Sequence, residues 1–235
     1  MLPKLSQPLY EVTQPSTGNV LRIRPFLVKE EKILLNAKEA AEPSEIYVAI
    51  KQIITNCVQE EDFDVDDIPI FDMEYLFIKL RAVSVSPQVK FKVQDSNDGI
   101  EYDLELDLND VEIQFDETND KKIMLTDDVG IMMKYPTPAL SEKIKHIETE
   151  ADLTTATIHE SIDYVFDSED NYPWKEVAQK EKDEFLDNLS IDSFKKIQKF
   201  YETSPKIEHV VTYENSEGTE KRVVFRDLTD FFTLG

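Results

Sequence analysis

Val89-Lys90-Phe91-Lys92-Val93, then Asn97-Asp98-Gly99, then Glu101-Tyr102-Asp103-Leu104-Glu105-Leu106-Asp107-Leu108 form the stretch that decides the fold class. Its apolar residues recur at every second position, which sets one side of a strand against a core and the other against solvent. Asn97-Asp98-Gly99 supplies the reversal, so the stretch predicts an antiparallel hairpin. On the second strand Glu101, Asp103, Glu105 and Asp107 share a face, with neighbouring carboxylates roughly 6–7 Å apart. Such a row needs Lys90 and Lys92, water or a basic partner to offset its repulsion. A third strand through Val111, Ile113 and Phe115 is expected to complete one buried face.

Before this hairpin the pattern is mostly helical. Leu9–Thr13 and Val20–Ile23 flank the turn Pro15-Ser16-Thr17-Gly18-Asn19 and predict a first hairpin. Pro25 starts a helix through Phe26–Leu35, Pro43 marks its end, and Ser44 caps a second helix with Ile46, Ile50, Ile53, Ile54 and Cys57 on one stripe. Cys57 is then a small apolar core residue. Residues 60–74 hold eight carboxylates and no base, yet Phe63, Val65, Ile68, Ile70 and Phe71 punctuate them, which suggests a loop pinned to a surface. Asp72 is expected to cap a helix bearing Met73, Leu76, Phe77, Leu80 and Val83.

After Tyr135-Pro136-Thr137-Pro138 the helical spacing returns. Leu140, Ile144 and Ile147 form one stripe, Ile158, Ile162, Val165 and Phe166 another, and Val177, Phe185, Leu186 and Leu189 lead to Ser190, the cap of a helix with Phe194, Ile197 and Phe200. His209–Tyr213 and Arg222–Phe225 predict a last hairpin around Asn215-Ser216-Glu217-Gly218. The two terminal hairpins either share a sheet or stand apart. The reading is an α+β chain, mainly helical, with terminal β-hairpins and a small inserted antiparallel sheet. It divides into 1–84 (hairpin plus helices), 85–130 (acidic β insert) and 131–235 (helical region ending in a hairpin).

The chain has 235 residues, with 26 basic and 49 acidic side chains and a net charge of −23. The excess is concentrated: residues 52–170 carry 9 basic and 30 acidic side chains. A negative field of that size repels phosphate backbones and argues against nucleic-acid binding. An acidic surface suits a basic protein partner, or serves solubility alone. No apolar run approaches the ~20 residues of a membrane-spanning helix, and Met1–Pro8 lacks a signal-peptide stretch. No membrane association is expected. A single cysteine excludes an internal disulfide and fits a reducing compartment.

The five glycines, Gly18, Gly99, Gly130, Gly218 and Gly235, are isolated from one another. A phosphate cradle needs closely spaced glycines so that backbone amides can approach the anion, and a nucleophile elbow needs Gly-x-Ser-x-Gly. Neither is present. His159 and Asp163 stand four apart on an expected helix and could share a metal, but no second histidine joins them, and an exposed polar face is the simpler reading. His146 and His209 have no local partner pattern. Gln94–Glu105 resembles a calcium loop in its glycine and glutamate positions, but it starts with Gln and lies between strands. Paired carboxylates mean little among 49. No catalytic residue, cofactor or metal is assigned, and an enzyme is not expected.

Ile68-Pro69-Ile70-Phe71-Asp72-Met73-Glu74-Tyr75-Leu76-Phe77-Ile78-Lys79-Leu80-Arg81 is denser in apolar residues than one helix stripe requires. Either it is a central core helix, or part of Phe71, Tyr75 or Ile78 is left for a partner. Phe231 and Phe232 pose the same choice.

Pro15-Ser16-Thr17-Gly18, Arg24–Lys32 and Phe71–Arg81 together resemble the baseplate hub assembly proteins of T-even-like contractile-tailed bacteriophages. The resemblance is strongest over residues 8–84 and returns at Phe200–Lys206 and Asp230-Phe231-Phe232; nothing is carried over for 85–190. It implies a non-catalytic, chaperone-like factor that binds baseplate hub subunits during tail assembly in the host cytoplasm. Two alternatives are a permanent structural subunit of the hub in the virion, and an acidic nucleic-acid mimic that inhibits a host DNA-binding protein. Candidate partner-binding residues are Phe71, Tyr75, Phe77, Glu101, Asp103, Glu105, Phe231 and Phe232. The aromatic residues serve as short-range anchors if exposed, and the carboxylates steer encounter.

Overall fold

The structure is a computed structural model that describes residues 5–40 and 43–232. The chain forms two compact units, 1–114 with 206–235, and 115–205. The first unit contains β1 (Tyr10–Thr13), β2 (Val20–Ile23), α1 (Val28–Ala40), α2 (Pro43–Cys57), α3 (Ile70–Ser84), β3 (Gln88–Gln94), β4 (Glu101–Asp107) and β5 (Ile113–Gln114). The second contains β6 (Lys122–Met124), β7 (Gly130–Met133), α4 (Pro138–Ile144), α5 (Glu150–Ser161), β8 (Ile162–Phe166), β9 (Asn171–Pro173), α6 (Gln179–Asp187) and α7 (Ile191–Glu202). The chain then returns to the first unit through β10 (Lys206–Ile207), β11 (His209–Glu214), β12 (Glu220–Phe225) and α8 (Leu228–Phe232).

In the first unit α3 is the central element. Phe71, Met73, Leu76, Phe77, Ile78 and Leu80 are all buried, so apolar side chains cover most of its circumference and no single stripe faces out. Ile50, Ile53, Ile54 and Cys57 of α2 and Ile23 of β2 are fully buried in the same unit. Each such aliphatic side chain contributes roughly 1.5–3 kcal/mol of burial. Pro43 opens α2 instead of merely ending α1, a place where a missing N–H costs nothing, and Ser44 lies inside that helix. β1–β2 and β11–β12 are separate two-stranded sheets, so the terminal hairpins share no ladder.

The expected third strand does not join β3–β4. A 3-10 turn, Leu108–Asp110, follows β4, and Lys79 Nζ on α3 donates to the carbonyls of Leu108 (3.1 Å), Asn109 (2.8 Å) and Val111 (2.9 Å). These bonds draw the chain toward α3, and β5 pairs instead with β10, Gln114 opposite Lys206 and Ile113 opposite Ile207. Phe115, the expected end of that strand, begins the second unit and is 59% exposed.

The second unit is built on an antiparallel sheet in the order β6-β7-β8-β9. Ile123, Ile131, Met133, Ile158, Ile162, Trp174, Ile197 and Phe200 form its core. Ser190 caps α7 as its sequence position predicts, its hydroxyl accepting from the Ser193 N–H at 3.0 Å. The expectation of a mainly helical chain is overturned here. Helix makes up about 40% of the chain and strand about 25%, in several sheets of two to four strands, so the class is α+β without helical dominance. The error lies in the stripe Ile158, Ile162, Val165, Phe166. α5 stops at Ser161, Ile162 is extended (φ −83°, ψ 130°), and Ile162-Asp163-Tyr164-Val165-Phe166 is strand, paired on both sides. Four of its five residues are β-branched or aromatic, which favours a pleated surface.

Among the described residues no helix is long and apolar enough to cross a membrane.

Candidate functional site

Apart from residues 200–205, which belong to the second unit, the blocks that carry the family resemblance lie in the first unit. Asp72 does not cap its own helix. It is fully buried, and its carboxylate accepts from Gln14 Nε2 at 2.7 Å, from the Ser16 N–H at 3.0 Å and from the Ser16 hydroxyl. The β1–β2 turn is thereby fixed to α3, and Gly18 at φ +74° allows that turn to close on Gln14. Arg24 joins the buried Glu30 carboxylate (2.9 Å) and the Asn56 carbonyl (2.7 Å), tying the β2 exit to α1 and α2. Arg81 donates to the Phe231 carbonyl and so holds α8. Glu74 is also buried, accepting from Tyr47 at 3.2 Å, and desolvation pushes its carboxyl up to about 7, with Asp227 adding to the rise.

The candidate aromatic anchors divide accordingly. Phe71 is 6% exposed and Phe77 and Phe231 1%, so all three are interior residues. Tyr75 is half-buried, with Lys79 Nζ 4.9 Å from its ring centre. The side chain of Phe232 lies outside the described residues.

Glu101, Asp103 and Glu105 lie together on the exposed face of β4. The register places Lys90 opposite Glu105, Lys92 opposite Asp103 and Gln94 opposite Glu101. Lys92 Nζ binds Glu101 and stands 3.9 Å from Asp103, which offsets part of the repulsion within the row. The other face of the hairpin is apolar and stacks on β11–β12: Phe91 meets Phe225 edge-on at 5.3 Å, and Tyr102 meets Tyr213 at 5.0 Å.

The tips of these two hairpins are interlocked. Asp95, 3% exposed, accepts from the Asn97 N–H (2.7 Å) and from the Tyr213 hydroxyl (3.0 Å). Asp98 accepts from the Tyr102 hydroxyl (2.6 Å), the Ile100 N–H (2.8 Å), and the Ser216 N–H (3.1 Å) and hydroxyl (2.8 Å). The Tyr102 bond first, then the Ile100 and Ser216 bonds, hold the Asp98 carboxyl well below the usual range. Both carboxylates thus serve the joint between the hairpins. Asn97-Asp98-Gly99 signalled the turn, but nothing near Ser216 signalled its attachment there. The hairpin held at this joint presents the β4 carboxylates to solvent.

Elsewhere, Cys57 is fully buried and burial pushes its thiol up to about 11, the state of an inert core residue. His159 and Asp163 are not on one helix, because Asp163 belongs to β8; His159 Nε2 instead lies 3.1 Å from Gln179 Nε2. Among the described residues no group of three or more His, Cys, Asp and Glu is arranged to hold a metal ion.

Buried polar ties thus hold the interior of the first unit, and β4 carries an exposed row of carboxylates. The chain belongs to the family of T4 bacteriophage base plate proteins, whose profile matches residues 7–233. Neither a curated protein nor a solved structure matches it.

Proposed function

We propose that this protein is a non-catalytic assembly factor of the phage baseplate hub, binding hub subunits transiently in the cytoplasm of the infected cell. The observation that carries the reading is a member of a base plate protein family presenting Glu101, Asp103 and Glu105 in one exposed row on a braced hairpin. A row of this kind favours fast, salt-sensitive encounter with a basic surface. Phe71, Phe77 and Phe231 pack the interior, so the close contact falls to Tyr75 and to β4. By covering a hub subunit the protein delays premature association, and it leaves when the next subunit competes for the same surface.

Affinity purification from infected cells, compared with mass spectrometry of purified virions, tests this. Hub subunits captured from cells together with depletion from finished tails are the expected result. Stoichiometric presence in virions converts the assignment to a permanent baseplate subunit. A salt-sensitive complex with a host DNA-binding protein and none with hub subunits replaces it with the nucleic-acid mimic.

A further inference from the structure

In the second unit α6 lies on the core without burying any residue of its own. Phe185, with Leu189 just beyond the helix end, packs against that core and is only half-buried. The Phe185 ring meets Trp174 edge-on at 5.8 Å, so the floor it forms is continuous with the interior. Beside it, the turn between β6 and β7 brings up Leu125 and Val129, which are also half-buried. Together these four side chains line a groove of about 440 Å³, within the roughly 300–1,000 Å³ of ligand clefts.

Hydrogen bonds fix the turn that forms one wall. The Leu125 N–H donates to the Val129 carbonyl (2.9 Å), and the Val129 N–H to the Thr126 hydroxyl (3.0 Å). The Ser193 hydroxyl on α7 donates to the Leu125 carbonyl (3.3 Å), which ties the turn to the helix that follows α6. The groove is therefore shaped before a partner arrives, and this lowers the ordering cost of binding.

The charge around this apolar floor has one sign. The ionisable side chains of the lining are Glu181 and Glu184, both exposed. Asp127 and Asp128 stand on the turn, and Asp187 and Asp192 at the adjoining helix ends, all exposed as well. Among the neighbouring bases, Lys180 stands 3.7 Å from Glu184 in an exposed pair, which offsets little, and Lys196 donates to the Met124 carbonyl at 2.6 Å. An anionic ligand meets repulsion here. A second copy of the chain brings a net charge of −23 and the same acidic rim, so like charges oppose self-association through this face. Cations on either side of an apolar centre match both features of the groove.

We propose that this groove seats a segment of a basic partner protein in which one or two large apolar side chains are flanked by lysine or arginine. The apolar side chains rest on Leu125, Val129, Phe185 and Leu189, and the cations face Glu181 and Glu184. This is a second contact surface, on a different unit from the β4 row, and it stands whether or not the partner is a hub subunit.

The test titrates the full-length protein, by fluorescence anisotropy at physiological salt, with labelled and blocked peptides whose centre is Leu-Leu, Leu-Phe or Met-Phe between pairs of lysine or arginine. Saturable binding by at least one peptide is expected. Serine in place of its central pair, or glutamine in place of its bases, should weaken binding about tenfold or more. Leu189→Ser and the surface variant Glu181→Lys/Glu184→Lys are expected to weaken it similarly, the latter with an unchanged thermal midpoint. Glu101→Gln/Glu105→Gln, on β4, should leave the affinity as it is, which separates this groove from the acidic row. Amide chemical-shift changes are expected to cluster at residues 125–129 and 181–193. The proposal is overturned by no saturable binding from any of the peptides, by equal binding of the serine-centred or glutamine-flanked forms, or by normal binding to the Glu181→Lys/Glu184→Lys variant. It is also overturned by sedimentation that shows a dimer abolished by Leu189→Ser, which assigns the groove to a second copy.

Discussion

Gln14 Nε2 lies 2.7 Å from Asp72 Oδ2, joining a hairpin turn to the first turn of the central helix across 58 positions of sequence. Both residues are buried, so the bond replaces solvent for each of them. An ionised acceptor makes such bonds stronger than neutral ones. Asp72→Ala leaves Gln14 and the Ser16 N–H without their acceptor and is expected to destabilise the first unit by about 2–3 kcal/mol. Urea unfolding followed by circular dichroism measures it, and an unchanged midpoint contradicts the role.

Glu74 gives the first unit a pH dependence of definite sign. Its carboxyl sits at about 7 when folded, against an ordinary value near 4.3 when unfolded. The folded state therefore holds the extra proton between those values, and stability falls as pH rises from about 4.5 through 7. Glu74→Gln removes that loss, with a gain approaching about 3 kcal/mol at pH 8 and little change at pH 4.5. Thermal midpoints of the two proteins across pH 4.5–8 should diverge, and parallel curves reject the assignment.

Gly130 has no room for a side chain. A Cβ there stands 2.3 Å from Phe166 Cζ and 2.9 Å from the Ile123 carbonyl oxygen, contacts on the two strands that flank β7. Gly130→Ala is expected to cost about 1–3 kcal/mol through displaced strands. Adding Phe166→Leu recovers only part of it, since the Ile123 carbonyl still clashes. A full recovery shows that the ring alone sets the spacing.

The row on β4 makes a kinetic prediction. Under the proposed assembly role, replacing Glu101, Asp103 and Glu105 together by lysine should slow association with the proposed hub partner by about tenfold or more at low salt, with a smaller change in dissociation. Stopped-flow mixing at two ionic strengths separates the two rates. Equal association rates at low salt remove steering from the mechanism.

Local signals predicted the hairpins well. Asn97-Asp98-Gly99 and Pro15-Ser16-Thr17-Gly18 closed where turn chemistry places them, and Ser190 capped α7, because each depends on neighbouring residues. Relations over distance were hidden. Ile158 and Ile162 keep helical spacing although one ends in α5 and the other opens β8, and only pairing with β7 and β9 decides between the two states. Lys79 reads as an ordinary helix lysine until its three carbonyl acceptors are seen, and those carbonyls are what turn the chain from β4 toward β10. At the candidate site the alternation of Glu101, Asp103 and Glu105 was legible from period alone. The burial of Phe71, Phe77 and Phe231 was not, since an apolar run looks alike whether a partner or the protein's own interior covers it.

The ladder between β5 and β10 gives residues 115–205 the character of an exchangeable cassette. Gln114 and Lys206 are direct partners, and partners across an antiparallel ladder have Cα atoms roughly 5 Å apart. A two-residue Asn-Gly loop can bridge that gap, so splicing Gln114 to Lys206 should leave a shortened chain that retains the contacts of Asp72, Arg24 and the paired hairpins. By the same geometry, the length of chain carried between Gln114 and Lys206 is not fixed by the ladder itself.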